Sequence, residues 1–519
     1  MTNRHFYSVL LYSLLIFFSV GSAVVVSLFL TQQNSSPYLS VSILLVFISS
    51  LLIAYPWIRA LSNGQSLIQP ATIYSATSAG YVFGAIFLIS GGQSRSLRYI
   101  LTPENLPVFT FSLFVVVVGL ASYLTSYYLT LGKRTYDFSI DDDIVNDNHS
   151  GLDLTKRKIV LIALAITIGI GLIGYWLFVR SSGGVANIAQ NIHSRTLLRT
   201  TDYYRLFFQF LQASTYLWFI FDKAAFKKIP FLLLLLLNLY TMITLGSAAP
   251  IILFVFFLMA IWNSYKRPIQ NPLNKLPRWL LQGGLVLAFI FVLLIGRIGW
   301  RDASVVARHS VSTDLNISLI VERTTSYGMT EVFSSVFGGA NLASIESLSR
   351  IVDAVPTKLD YLYGQTFYWT TLSPIPRALW PEKPVTTIGL YLKHHLENSN
   401  AVAGGVPASW LGELYLNGGL LGVVVGQLLF GYFSARVLQW FYVNNNNRFA
   451  RLHYINFVVI FTFYITKTEF KTALNRGAGF GVAFILVHFL LKNYVNIGTK
   501  LASHRTAKIN FFFLENLAK

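Results

Sequence analysis

Residues 374–384 read PIPRALWPEKP and bring together residue types that can bind a phosphate group. Arg377 and Lys383 stand among four prolines, with Trp380 between them. A guanidinium binds phosphate through a two-pronged hydrogen bond, and the prolines restrict the backbone that carries it. The indole ring offers a face on which a sugar or the guanidinium can stack. The strip therefore predicts an anion-binding site, and we expect Arg377 to be its main ligand, with Lys383 or Arg301 beside it.

Two side chains downstream of this strip could take up a proton. His394, in YLKHHLE, could act as a general base on a sugar hydroxyl, or it could form a solvated pair with His395 on a polar helix face. Glu413, in WLGELYLNGGLLG, is an acidic residue at the membrane edge of a predicted span, which marks a functional candidate. The alternative for Glu413 is a charge favoured by the helix dipole. Asn417 follows one helical turn later as a candidate substrate ligand.

Further cations lie in hydrophilic segments on either side of the strip. Those in the same segment or in the one before it are Arg180, Arg195, Arg199, Arg205, Arg297 and Arg301. Each could bind a phosphate-bearing lipid at the membrane surface, or could extend to the headgroups or pair with a carboxylate. A later loop offers the same choice between a phosphate site and pairing among its own members, which are Lys467, Glu469, Lys471 and Arg476.

Several common kinds of site are missing from the sequence. There is no cysteine, and we find no P-loop, no dinucleotide fingerprint, no HExxH and no G-x-S-x-G motif. Adjacent histidines on a helix diverge, and no third ligand accompanies His394 and His395, so we expect no metal site. These observations disfavour an ATP-driven pump and a cytoplasmic nucleotide-sugar enzyme, and we expect no cofactor.

Composition places these candidates in a membrane protein. The hydrophobic fraction is 54% and the charged fraction is 12%, against about 25% charged in soluble proteins. Apolar runs of about 17–25 residues, long enough to cross a bilayer, recur along the chain. The sequence therefore predicts an all-α polytopic membrane protein with about twelve transmembrane helices, at residues 6–30, 38–58, 71–90, 107–131, 158–179, 205–221, 230–246, 248–263, 279–296, 409–433, 452–466 and 477–493.

The distribution of charge predicts the orientation. The net charge is +19, and the basic residues gather in alternate short loops, as the cytoplasmic loops of membrane proteins do. This pattern places both termini in the cytoplasm and the segments 180–204 and 297–408 on the outer side. The chain then divides into an N-terminal bundle of about nine helices (1–296), a large outer loop (297–408), and a C-terminal bundle of about three helices with a basic tail (409–519). A nucleic-acid partner is disfavoured because the basic residues form no separate domain.

The large loop has internal structure in this prediction. Residues 344–355 read SIESLSRIVDAV and predict a short amphipathic helix, with an apolar face that includes Ile345, Leu348 and Val352. Glu346 and Arg350 are expected to pair on the opposite face. A long outer loop with its own helices is typical of a functional segment.

The run YLYGQTF…SPIPRALWPEKP, followed by GELYLNGGLLG, resembles the bacterial oligosaccharide repeat-unit polymerases, the Wzy-type O-antigen and exopolysaccharide polymerases. The resemblance is sharpest over residues 340–430. Arg377 and Lys383 match its P-R-x-x-W-P-x-K-P element, and Glu413, Asn417 and Gly419 match its G-E-x-x-x-N-x-G element.

The resemblance implies a membrane glycosyltransferase of GT-C-like architecture in the bacterial inner membrane. Its substrate would be an oligosaccharide linked to undecaprenyl pyrophosphate, and the growing chain would move from its lipid onto the next lipid-linked unit. The same resemblance implies that a flippase and a chain-length-regulating co-polymerase are partners. No nucleotide sugar and no metal would be needed. Arg377, Glu413 and His394 are then the catalytic candidates, and the substrate-binding candidates are Arg301, Lys383, Trp380, Asn417, Arg297, Arg195 and Arg199.

Two alternatives stay open. An O-antigen ligase would use the same donor with a lipid A-core acceptor, although the proline-rich element favours the polymerase. A lipid-linked oligosaccharide flippase or other transporter would place charges inside its spans and often shows two similar halves. Most predicted spans here are free of charge, and one outer loop dominates, which argues against transport.

Overall fold

The computed structural model describes residues 36–63, 65–90, 101–132, 154–182, 198–222, 225–244, 248–265, 344–373, 387–396, 408–444 and 448–490, together with the single residues 184, 375, 380, 382 and 492. Every regular element in these ranges is helical, which confirms the all-α prediction for this part of the chain. The helices before the large loop are α1 (Pro37–Ser62), α2 (Pro70–Ile89), α3 (Leu106–Leu131), α4 (Leu154–Ser181), α5 (Leu198–Phe221), α6 (Ile229–Thr244) and α7 (Ala248–Tyr265).

The remaining helices belong to the loop and to the C-terminal region. They are α8 (Ser344–Ala354), α9 (Gln365–Leu372), α10 (Ile388–Leu396), α11 (Trp410–Val443), α12 (Phe449–Lys467) and α13 (Phe470–Leu490). In α12, residues Asn456–Phe461 form a π-helical segment between two α-helical ones.

Seven of the described helices are long and apolar enough to cross a membrane: α1, α2, α3, α4 (from Val160), α11, α12 and α13. These match seven of the spans expected from the sequence. Helices α5, α6 and α7 also form where spans were expected, and α6 includes a shorter apolar stretch. The expected spans 6–30 and 279–296 lie outside the described residues.

The core of the bundle is formed by α11 packed along α3, with α1 and α2 beside them, and by α4 packed along α5. Ring contacts fill much of the space between α2, α3 and α11. Tyr74 and Tyr123 lie with ring centroids 4.0 Å apart, and Phe430 contacts both rings. These contacts fix α11, which carries Glu413 and Asn417, against the rest of the bundle.

Helix α11 is not the single straight span that the sequence predicted at 409–433. Its backbone leaves helical geometry at Gly418 and Gly419. A straight helix would put Trp410 and Phe430 about 30 Å apart, yet their ring centroids are 6.3 Å apart. The Leu414 side chain also packs against Gly426. The segment before the break therefore folds back along the segment after it, because two consecutive glycines leave the break without a steric barrier.

Helix α8 confirms the amphipathic helix expected at 344–355, since Ile345 and Leu348 are fully buried. Glu346, on the opposite face, is buried as well, with 1% of its surface exposed; its pairing with Arg350 stays a prediction. The reason is that α8 packs against α2, α3 and α11 together, so its polar face is covered as well. Helix α8 is therefore packed as part of the bundle.

Candidate functional site

The break in α11 frees two backbone carbonyl groups, and the loop before α9 satisfies them. In a continuous helix, the carbonyls of Leu416 and Asn417 would accept hydrogen bonds from amides four residues later. Here Leu362 N–H donates to the Leu416 carbonyl at 3.0 Å, and Tyr363 N–H donates to the Asn417 carbonyl at 3.1 Å. The YLYGQTF element and the GELYLNGGLLG element thus form one hydrogen-bonded unit.

The Asn417 side chain completes this unit. Its Oδ1 accepts from Gly364 N–H at 2.8 Å, and its Nδ2 donates to Thr366 Oγ1 and to the Glu413 carbonyl, each at 2.8 Å. The side chain is 7% exposed. Three hydrogen bonds occupy its amide, so Asn417 acts here as a link between the loop and the broken helix.

The loop 361–366 and the broken part of α11 at 413–419 form a contact that we call the joint. Gly419 allows the two segments to approach closely there. Its φ of 59° lies in the left-handed region, which is costly for residues with a Cβ. A Cβ at Gly419 would also lie 2.9 Å from the Tyr361 hydroxyl oxygen. The half-buried Tyr361 ring therefore covers the break, and the neighbouring Tyr363 is 81% exposed at the surface of the same loop.

Glu413 is buried inside the joint and does not lie at an exposed helix edge. It is 1% exposed, and its Oε2 accepts the Phe470 N–H at 2.6 Å. Phe470 begins α13, and its amide is one of those that a helix N-terminus leaves without an intrahelical partner. The Glu413 carboxylate accepts the hydrogen bond from this amide. The Phe470 ring packs against Trp410, with ring centroids 5.6 Å apart. Glu413 thereby connects the fold-back of α11 to the turn between α12 and α13.

Glu469, in that turn, connects it to the loop helices. Its Oε2 accepts the Ile388 N–H at 2.8 Å at the start of α10, and its Oε1 accepts from the Thr472 hydroxyl at 3.2 Å. Burial raises the pKa of the Glu469 carboxyl above its usual value, and the nearby Lys471 and the two hydrogen bonds oppose that rise. Glu469 was expected in a loop, either in a phosphate site or paired with a nearby cation. In the structure it is buried and links the turn before α13 to the start of α10.

Both ends of the segment that includes the proline-rich strip are fixed to this one turn. Before the strip, Ser373 Oγ accepts a hydrogen bond from Asn475 Nδ2 at 3.1 Å. After the strip, Ile388 is held by Glu469. Ser373 and Ile388, which stand on either side of the strip in the sequence, are therefore both bound near the start of α13.

His394 lies near the end of α10 and is half-buried. Its neighbour His395 is exposed, packs its ring 4.2 Å from that of Tyr391, and contacts the Tyr391 carbonyl through Nδ1 at 2.9 Å. Since α10 is held by Glu469, His394 is carried by the same set of elements as Glu413. The described residues contain no group of three or more His, Cys, Asp or Glu side chains that could hold a metal ion.

The structure places only part of the predicted site. Glu413 and Asn417 lie on α11, and His394 lies on α10; the turn before α13 is bound to both helices, through Glu413 and through Ile388. Trp380 is a described, half-buried residue of the strip. The described residues include the backbone of Arg199 in α5 but not its side chain. The predicted ligands that lie outside the described residues are Arg195, Arg297, Arg301, Arg377 and Lys383.

Sequence reasoning missed the role of Thr366, Glu469 and the loop 361–364 as parts of one joint. The signal that could have found them is the Asn-Gly-Gly sequence at 417–419, which breaks a helix and leaves carbonyl groups that some other segment must satisfy. Nothing in the sequence indicates which segment supplies the donors.

A family model described as Domain of unknown function (DUF8712) matches residues 204–465, which is half of the chain, and the chain belongs to this family. The matched region includes the joint between 361–366 and 413–419 and ends just before the turn between α12 and α13. Neither the curated proteins nor the solved structures contain a match to the chain.

Proposed function

We propose that this member of the DUF8712 family polymerises lipid-linked oligosaccharide repeat units at the outer face of a bacterial cytoplasmic membrane. The donor is the growing chain on undecaprenyl pyrophosphate, and the acceptor is the next lipid-linked unit. The single observation that carries the proposal is the joint between the two sequence elements that resemble the polymerases. The backbone amides of 362–364 bind the carbonyls and the side chain of residues 416 and 417, so the two elements form one hydrogen-bonded unit, which supports a shared role.

The reaction that this site would perform is glycosyl transfer. An acceptor hydroxyl oxygen forms a bond to the anomeric carbon of the donor chain, and the bond from that carbon to the pyrophosphate oxygen breaks. The hydroxyl proton passes to a base, and undecaprenyl pyrophosphate leaves with the bonding electrons. Fixed cations stabilise the charge on the leaving group, and this is the role we assign to Arg377, with Lys383 or Arg301.

The contacts of Glu413 and His394 separate their proposed roles. The Glu413 carboxylate is buried and already accepts a backbone N–H, which suits a residue that positions the site. His394 is half-buried on α10, so it is more exposed than Glu413. We therefore favour His394 as the general base, a role that typically contributes about 10²–10⁴-fold to the rate.

The proposed function also implies a span count, a helix arrangement and an orientation in the membrane. It implies about twelve spans in a GT-C-like arrangement, with both termini in the cytoplasm and residues 297–408 on the outer side. The partners are the lipid-linked substrate, a flippase that delivers it, and a co-polymerase that regulates chain length. O-antigen, capsular polysaccharide and exopolysaccharide are all possible products of this chemistry.

The test is a deletion strain whose surface glycan is separated on a gel while its lipid-linked intermediates are extracted. A polymerase defect leaves single repeat units at the surface and no ladder. Accumulation of long, lipid-linked polymer would identify a ligase, and units trapped on the cytoplasmic leaflet would identify a flippase. Either of these two results would replace the proposal.

Complementation of the same strain tests the proposed leaving-group ligand. We expect Arg377→Ala to abolish the ladder, and Arg377→Lys to restore only part of it because an ammonium lacks the bidentate geometry. Arg436→Ala is the matched control, since that arginine is exposed and its nearest partners are Tyr432 and Gln439 of its own helix. A full-length ladder from Arg377→Ala would remove that residue from the site.

A further inference from the structure

Two cations lie where α12 ends and α13 begins. Lys467 is the last residue of α12, and Arg476 lies in the second turn of α13. Both side chains are half-buried. Within the part of the chain that the structure describes, neither forms a salt bridge or a side-chain hydrogen bond.

Tyr464 of α12 is a neighbour of Arg476 in space and of Lys467 along the helix. The Arg476 guanidinium carbon lies 5.7 Å from the centroid of that ring. Tyr464 and Lys467 are three residues apart on α12, so their side chains emerge from neighbouring positions on the helix surface. Arg476 therefore contacts the Tyr464 ring from α13, and Lys467 follows that tyrosine by about one helical turn on α12.

The nearby carboxylates are held elsewhere and do not neutralise this pair. Glu413 accepts the Phe470 N–H, and Glu469 accepts the Ile388 N–H and the Thr472 hydroxyl. Lys471 lies close enough to Glu469 to act on that carboxyl. Lys471 neighbours Glu469, whereas no carboxylate among the described residues pairs with Lys467 or Arg476.

Two partly buried cations at the end of a membrane helix are costly unless an anion joins them. A guanidinium with an ammonium is also a donor set that binds phosphate groups. The position fits such a ligand, because the turn also holds both ends of the segment that includes the proline-rich strip.

We infer that Lys467 and Arg476 form a binding site for a phosphate or pyrophosphate group, beside the Tyr464 ring. The inference rests on the proposed function for the identity of the anion, which is then the pyrophosphate of the lipid-linked donor. The same chemistry would also accept a free pyrophosphate, and the experiment separates these two sources.

The experiment measures binding to the purified full-length protein in lipid nanodiscs. The probes are geranylgeranyl pyrophosphate, inorganic pyrophosphate and the uncharged alcohol geranylgeraniol. The variants are Lys467→Met and Arg476→Met, which keep an apolar side chain of similar length, and Lys467→Arg, which keeps the charge. Lys471→Met is the matched control, because that lysine belongs to the same turn but lies beside Glu469. Each protein is first checked for a wild-type thermal transition.

We expect each Met variant of the site to weaken binding of geranylgeranyl pyrophosphate by about tenfold, as the loss of a hydrogen bond between charged groups does. Lys467→Arg and Lys471→Met should bind within about twofold of wild type, and the alcohol should not compete. Competition by inorganic pyrophosphate at a similar concentration would support the site and show that it binds the headgroup alone. Unchanged binding by both Met variants, or no binding of either pyrophosphate by wild type, would overturn the inference.

The polymer ladder distinguishes failure of this inference from failure of the proposed function. If Lys467→Met binds the probe normally while the wild-type gene restores polymer in a deletion strain, the anion site is wrong and the polymerase proposal stands. If binding depends on Lys467 but the wild-type gene restores no polymer, the anion site stands and the polymerase proposal fails.

Discussion

The break in α11 contains two adjacent glycines, Gly418 and Gly419, that differ in backbone conformation and in the space around them. Substituting each by alanine gives the sharpest prediction about the fold of the site. Gly419 has a φ of 59°, and a Cβ there would lie 2.9 Å from the Tyr361 hydroxyl. Gly418 has an extended φ of −163°, and a Cβ there would meet nothing within 4 Å. The two positions share their sequence neighbours and their helix, so Gly418→Ala is the matched control for Gly419→Ala.

The expected loss in the free energy of unfolding for Gly419→Ala has two parts. Placing a residue with a Cβ in the left-handed region costs roughly 1–2 kcal/mol. Displacing the Tyr361 ring from its place over the break adds about 1 kcal/mol, the typical cost of an overpacked contact. We expect Gly419→Ala to destabilise the protein by about 2–3 kcal/mol, and Gly418→Ala by less than about 0.5 kcal/mol, as at other unconstrained positions.

The assay is thermal unfolding of the purified protein, followed by intrinsic fluorescence in one detergent. Tyr361→Phe provides a second control, because it removes the oxygen atom nearest to the added methyl group. The double variant with Gly419→Ala should recover only part of the steric loss, because the ring atoms Cζ and Cε1 of residue 361 would still lie 3.2 and 3.3 Å from the added methyl group. That recovery is the coupling that a double-mutant cycle measures. Equal losses for Gly418→Ala and Gly419→Ala would refute the described break and the position of Tyr361.

The remaining predictions concern the side chains that hold the joint together. Asn417→Ala should cost about 2–4 kcal/mol in thermal unfolding, since it removes three buried hydrogen bonds. Asn444→Ala, at the exposed end of the same helix with one bond to a carbonyl, should cost about 0.5 kcal/mol or less, and equal losses would contradict the joint. Glu469 binds its proton more tightly in the folded protein than in the unfolded chain, so its contribution to stability is present at acid pH and is lost as pH rises through its raised pKa. Glu469→Gln should flatten the dependence of the melting temperature on pH in that window, and an unchanged slope would show that the carboxyl keeps an ordinary pKa.

Much of the fold follows from the sequence, because hydrophobic runs of helical length set the described spans to within a few residues at most ends. Helix α3 was expected at 107–131 and extends over Leu106–Leu131. The amphipathic helix α8 was predicted from its periodicity alone. In each case, local composition and the period of the pattern contain the information that the structure uses.

The candidate site was harder to predict because its contacts join segments that are far apart in the chain. The fold-back of α11 brings Trp410 to Phe430 and Glu413 to Phe470, and no local pattern encodes either pairing. The burial of Glu346 has the same origin, since three separate helices cover α8. Residue types identified Glu413 and Asn417 as important, whereas only the structure shows which groups they bind.

The most direct test of the central claim is polymerisation by the purified protein. Lipid-linked repeat units are extracted from a deletion strain and incubated with the protein in liposomes, without any nucleotide sugar. We predict a ladder of longer glycans on the lipid carrier, with release of one undecaprenyl pyrophosphate for each unit added. Units that stay single, in the presence of protein whose thermal transition is intact, would contradict the account.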